Sequence, residues 1–382
     1  MLLLTALLAC ADSGTIVVPD PPDTDLAAPD DDALQAALQA ALQAAVDAAA
    51  ARNRGVGGVS LAAFHAGDEV FRGVSGDLRE GGPPMPVGAA FEVASVTKLF
   101  TAVLVLHLVR ENRFELDDPI GGLLPLPDDL LVVDGVDRAD TITVRQLLQH
   151  TSGLPDYWTD PPYIEPGVNR FLAEFLADPA RRWQPTDILD LVPGLTPIGR
   201  PGAGWHYSDT NYVLLGSLVE RTLGERYHEA LRARVLEPLG LFDTWMVWEE
   251  ESPARTLSAR YEGRRDLTRF THQSADWAGG GLASTVDDLA ALSEALTDTR
   301  ALGRDLFQAM LEPVPTGVPG VGYGLGVFLI DLGAEGRMWG HDGYGGAFVY
   351  TWPERDLTLA GTVNQTRADS DRLQAEAWAA LE

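Results

Sequence analysis

The sequence predicts an α+β fold: an antiparallel sheet made by both ends of the chain, flanked by an N-terminal and a C-terminal helix, with a mostly helical domain inserted between. Three observations predict it. Strand-type runs occur early, at 59–74, and return late, at 323–363, while helix-type patterns fill the middle. Helical stretches at 33–52 and 369–382 bracket the strand runs. The segment Val96–Glu111 is apolar on nearly every side, which places it at the centre of a domain rather than on its surface.

Taken in order, the chain begins with the apolar run Leu2–Ala9 and its single cysteine, Cys10. Leu7-Leu8-Ala9-Cys10 resembles the lipobox of bacterial lipoproteins, in which the cysteine is lipidated. The expectation is a signal over 1–10, lipidation at Cys10 and an exported protein held at a membrane. Residues 11–32 carry seven aspartates, four prolines and no basic residue, and read as a disordered acidic linker. The folded unit then runs over 33–382, with an α/β part at about 33–95 and 315–382 and a helical part at about 96–314.

Leu34, Leu38, Leu42 and Val46 recur every four residues, so the first helix reaches about Arg52. Val59–Phe64 and Glu69–Val74 alternate as strands around the turn Ala66-Gly67-Asp68. A Pro/Gly-rich loop over 81–90 precedes the apolar helix. Helix patterns follow at 144–150, 168–177, 186–191, 210–223, 226–238 and 286–297. Four β-type runs come late: Tyr323–Asp331, Arg337–Gly340, Ala347–Trp352 and Leu357–Val363. Leu373, Ala377, Trp378 and Leu381 share one side of the closing helix.

Of 382 residues, 46% are apolar, enough for a sizeable core. The formal net charge of −28 excludes phosphate-neutralising nucleic-acid binding as a main activity. One cysteine excludes an intrachain disulfide framework and a Cys-rich metal site. His65, His107, His228 and His272 are scattered without metal-ligand spacing, so neither a metal nor a cofactor is expected. There is no G-x-S-x-G, which disfavours an α/β-hydrolase elbow.

Of the 28 basic residues only Lys98 is a lysine. Arginine cannot deprotonate and a buried lysine can, so the exception marks a position where a base is needed. Ser95 stands three residues earlier, on the same helical face one turn away. A serine at a helix N-terminus beside a neutral amine is an activated nucleophile.

Ser95-Val96-Thr97-Lys98 opening a central helix resembles the first signature of the penicillin-recognising serine hydrolases: serine β-lactamases, D-alanyl-D-alanine carboxypeptidases and related esterases. The surrounding sequence is similar to that family at length. FEVASVTKL (91–99), ITVRQLLQHTSGLPDY (142–157), YSDTNYVLLG (207–216), EPLGLFDT (237–244), GGGLASTVDDL (279–289) and GHDGYGGAF (340–348) stand in the family's order, closest to its class C branch. The resemblance implies an acyl-enzyme on Ser95, with Lys98 and Tyr207 handling the proton. It implies an oxyanion hole from the N–H groups of Ser95 and Tyr344 on the His341-Asp342-Gly343 strand. A phenol beside an ammonium is further expected to have its pKa drawn down.

Two positions depart from the family. Asp209 replaces the asparagine of Tyr-x-Asn and cannot donate the hydrogen bond that an amide gives a substrate carbonyl. Asp342 replaces the usual Thr or Ser. Together they are expected to put negative charge where a substrate carboxylate would lie, unless an arginine such as Arg337 or Arg367 compensates. Trp158, Trp205 and Trp277 are candidates to line the cleft, and His150 and Ser152 read as a structural turn. The function expected is hydrolysis of a peptidoglycan D-Ala-D-Ala peptide, a β-lactam, an ester or another amide. The alternative is a non-catalytic sensor lipoprotein of the same fold.

Overall fold

The computed structural model describes residues 31–54, 56–253, 255–268, 272–366 and 370–381. The apolar N-terminal run, Cys10, the linker up to residue 30 and Arg367 lie outside them.

Helix α1 (Asp31–Arg52) leads into the hairpin β1 (Val59–His65) and β2 (Asp68–Ser75). The hairpin turns at Ala66 and Gly67, both at positive φ (51° and 85°). After β3 (Phe91–Glu92) comes the central helix α2 (Thr97–Arg110). The middle of the chain contributes α3 (Thr210–Leu223), β4 (Trp245–Met246), α4 (His272–Gly280), β5 (Leu282–Ser284) and α5 (Val286–Thr297). Strands β6 (Val314–Pro315), β7 (Val321–Tyr323), β8 (Phe328–Asp331), β9 (Arg337–Asp342), β10 (Ala347–Trp352) and β11 (Leu357–Thr362) precede α6 (Ser370–Leu381).

The main sheet is antiparallel throughout, in the order β6-β7-β8-β9-β10-β11-β1-β2. The early hairpin therefore joins the late strands along β1–β11, with Ser60 opposite Thr362. Strand alternation decides which core each side chain enters. Leu61 and Ala63 face α1 and α6, among Leu42, Val46, Leu373 and Trp378. Ala62 faces the other way, into the larger core with Leu289 and Leu292 of α5.

Helix α2 runs through that larger core, with Leu99, Phe100, Val103, Leu104, Leu106 and Leu108 all at 0% exposure. Each such side chain contributes about 1.5–3 kcal/mol by leaving water. A small sheet, β3-β5-β4, lies at its N-terminal end and pairs Ala283 with Glu92.

Three features differ from the sequence reading. Tyr323–Asp331 is two strands, because Gly324–Val327 turns the chain with Gly326 at φ 80°. The 226–238 pattern breaks into Tyr227–Leu231, a π segment Arg232–Leu236 and the short turn Glu237–Leu239, where Pro238 cannot continue the ladder. Helix α4 carries no clear apolar period and is interrupted at Trp277 (φ 38°, ψ −117°).

Candidate active site

Ser95 lies in a single 3₁₀ turn, Ala94–Val96, between β3 and α2. Ala94 has φ +45°, a left-handed value that costs a non-glycine residue about 1–3 kcal/mol. The turn is clamped from both sides, by Val93 N–H donating to Leu282 O (2.9 Å) and Leu282 N–H donating to Thr97 Oγ1 (3.2 Å). Strain held by such a clamp presents Ser95, half-buried, at the mouth of the helix.

Lys98 is completely buried. Its Nζ donates to Ser95 Oγ at 3.0 Å and Gly279 O at 2.7 Å, and lies 2.5 Å from Asp209 Oδ1. Three partners satisfy the three donors of an ammonium, which makes a buried charge tolerable. The break in α4 supplies one of them. Non-helical backbone at Trp277 frees the carbonyls that follow, so Ala278 O accepts from Thr101 Oγ1 (2.6 Å) and Gly279 O from Lys98.

Tyr207 completes the cluster. Its hydroxyl is close enough to the Ser95 side chain for the two to interact, and Lys98 Nζ stands 5.0 Å from its ring centroid. Burial, then the Asp209 carboxylate, hold the phenol well above its ordinary value of 10.0. The shift is opposite to the downward one expected, because burial disfavours the phenolate and the Asp209 charge adds to that. Tyr207 is therefore a neutral phenol, able to pass a proton on rather than to extract one. His150 backs its ring at 4.3 Å. His150 Nδ1 accepts from Ser208 N–H (3.1 Å), with Asn211 Nδ2 at 3.0 Å, and burial lowers its pKa well below 6.5. Ser152 Oγ donates to Asn211 Oδ1 at 2.6 Å, so the His150–Ser152 turn props the wall of the site.

Strand β9 brings His341 to the same wall. Its Nε2 meets Tyr323 OH at 3.0 Å and its Nδ1 the Asp342 carbonyl at 2.7 Å. Burial, then Lys98, push it down to about 3, so it is a neutral hydrogen-bonding group. Beyond the strand, Gly343 packs against Val93 and Ala94. Among the described backbone hydrogen bonds, neither the Ser95 nor the Tyr344 N–H is taken by a carbonyl. The Tyr344 ring itself is exposed.

Asp342 does not face the cleft, contrary to the sequence expectation. Alternation along β9 turns it to the opposite side from His341, where Tyr350 OH (2.5 Å) and Gln374 Nε2 (3.2 Å) donate to it. Arg337 sits at the far end of the same six-residue strand, about 16 Å away, and pairs with neither aspartate. The arginine near the site is Arg260, almost fully buried, at 2.9 Å from Glu92.

Sequence reasoning missed two acids of the site. Asp156 Oδ1 accepts the Asp209 N–H at 3.0 Å, and Asp276 Oδ1 accepts Trp158 Nε1–H at 2.8 Å. Burial, then the Asp209 charge, raise each to about 7. Asp156 lay within a quoted motif, SGLPDY, but the folding of Asp276 toward the site rests on the α4 break, which left no local signal. Of the three tryptophans, Trp158 and Trp205 border the site, whereas Trp277 is buried against Tyr227.

A family model described as Beta-lactamase matches residues 34–382. The chain is 26% identical to penicillin-binding protein 4* of Bacillus subtilis (strain 168) over 278 residues, which are 68% of this chain and 56% of that protein. It is 34% identical to esterase EstB of Burkholderia gladioli over 224 residues, 56% of this chain and 53% of that one. The chain thus spans about half the length of the curated relatives it matches. A crystal structure of a D-stereospecific amidohydrolase from Streptomyces sp. superposes with TM-score 0.75 at 31% identity, covering 89% of this chain and 98% of that one.

Proposed function

The chain belongs to the beta-lactamase family, and from that membership we propose that it hydrolyses an amide or ester through an acyl-enzyme on Ser95. The observation that carries this is the contact of the buried Lys98 Nζ with Ser95 Oγ at 3.0 Å. Lys98 Nζ takes the Ser95 proton as Oγ bonds to the carbonyl carbon. The Ser95 and Tyr344 N–H groups receive the oxyanion. The proton then passes by way of the Tyr207 hydroxyl to the departing nitrogen or oxygen, and water releases the acid by the reverse route.

The finer proposal is an esterase or amidase rather than an enzyme of carboxylate-bearing peptides. Asp209 supports it, because its carboxylate offers a substrate carboxylate only repulsion. Similarity to an esterase and to a D-stereospecific amidohydrolase agrees with that choice. We propose further that lipidation at Cys10 holds the domain at a membrane. Intact-mass measurement tests the chemistry: a fluorophosphonate adduct that disappears in Ser95→Ala is expected, and a protein that stays unmodified would overturn the acyl-enzyme reading.

A further inference from the structure

Asp209 lies within two hydrogen-bond lengths of the nucleophile, linked to Ser95 Oγ through Lys98 Nζ at 2.5 and 3.0 Å. Only one of its oxygens is used in this way. Among the described residues no donor reaches Oδ2, and the side chain keeps 18% of its surface open, whereas Lys98 keeps none. Asp276 adds to the field at this point, close enough to Asp209 for the two charges to disfavour each other. Arg260, which acts on Asp276, is paired with Glu92 at 2.9 Å. Asp209 thus presents a partly exposed carboxylate beside the fully buried Lys98.

The position of that open oxygen selects a substrate geometry. In an α-amino acyl group the nitrogen stands about 2.5 Å from the carbonyl carbon, two covalent bonds away. With Oγ at an attack distance of about 3–3.5 Å from that carbon, an α-ammonium comes within reach of a carboxylate two hydrogen bonds from Oγ. We infer that Asp209 is a specificity-determining residue that docks a substrate ammonium, making amides or esters of α-amino acids with a free amine the preferred substrates. This inference rests on the acyl-enzyme reading given above.

The test compares alanine 4-nitroanilide, in both enantiomers, with propionyl 4-nitroanilide, which lacks the amine. For the wild type, kcat/KM for the better alanine enantiomer should exceed that for the propionyl compound roughly tenfold or more at low salt, narrowing as salt rises. Asp209→Asn should bring the ratio close to one. A wild-type ratio at or below one overturns the inference, as does a ratio that survives in Asp209→Asn. If that variant does not fold, the wild-type ratio decides alone. Failure of Ser95 to form any fluorophosphonate adduct would remove the acyl-enzyme reading itself, whereas adduct formation without a charge preference removes only this inference.

Discussion

Gly343 packs so closely on Val93 that a Cβ at Gly343 would stand 2.2 Å from the Val93 carbonyl oxygen. This contact seats the end of β9 against the turn that carries Ser95. It sets the spacing between the two N–H groups proposed for the oxyanion. Gly343→Ala must push the two segments apart, since both sides of the contact are backbone. We expect kcat for an activated ester to fall at least a hundredfold, within the range for losing an oxyanion donor. Thermal unfolding should show the fold retained. Wild-type turnover in Gly343→Ala would mean that this junction does not govern the reaction.

Ser95→Ala removes the proposed nucleophile without disturbing its clamp, which is made by Val93, Thr97 and Leu282. Hydrolysis of 4-nitrophenyl acetate should drop to background while far-UV circular dichroism is unchanged. Retention of most of the turnover would assign the nucleophile elsewhere.

The parts of the site that could be read from the sequence are those made by short-range geometry. Ser95 and Lys98 are three residues apart on one helix, so their 3.0 Å contact follows from helical spacing and from the rarity of lysine in this chain. The contact of Lys98 with Gly279 spans 181 positions and depends on a break at Trp277 that no periodicity announces. Asp342 illustrates a different limit. It stands where the resemblance implies a substrate-facing Thr or Ser, yet the period of two along a strand puts it on the face opposite His341. The division of Tyr323–Asp331 was signalled by Gly324 and Gly326, but a turn there could be told from a bulge only once the β7–β8 register was known.

Asp342 supplies a pH dependence of stability rather than of substrate binding. Burial raises its folded-state value from 3.8 to about 7, against hydrogen bonds from Tyr350 and Gln374 that lower it. A raised carboxyl favours the folded state fully below the unfolded value, near 4, and that contribution is lost as pH rises through about 7. Asp342→Asn is neutral throughout. It should therefore be more stable than wild type at pH 8, by an amount on the order of 1 kcal/mol after allowance for partial solvation, and no more stable at pH 4. Urea titration at the two pH values measures it. An equal effect at both would show that ionisation of Asp342 is not the cause.

If Cys10 carries lipid, Cys10→Ser should move the protein from the membrane fraction to the soluble fraction after cell breakage. One acyl chain gives only marginal binding, so stable attachment requires more than one. Wild-type protein found wholly soluble, with a mass at Cys10 matching the unmodified residue, would remove the anchor from the proposal.

The last prediction separates the two acids that the sequence put together. Asp209 contacts Lys98 at 2.5 Å, and Asp342 is turned toward Gln374 on the other face of the sheet. A substrate carboxylate entering near Ser95 meets the first and is shielded from the second. Against a matched neutral ester, its carboxylate analogue should have the lower kcat/KM. A penalty of roughly fivefold to tenfold, about 1 kcal/mol, fits one unfavourable charge in a partly wet cleft. Raising the salt concentration should shrink the penalty. Asp209→Asn should abolish most of it and move preference toward carboxylate-bearing amides, because the amide restores a donor where the carboxylate only repels. Asp342→Thr should leave the ratio of the two rates nearly unchanged, whatever it does to each. Steady-state kinetics on both variants decides the matter. If Asp342→Thr altered the ratio as much as Asp209→Asn, the charge at the cleft would have to come from both acids, and the orientation of β9 would not account for specificity.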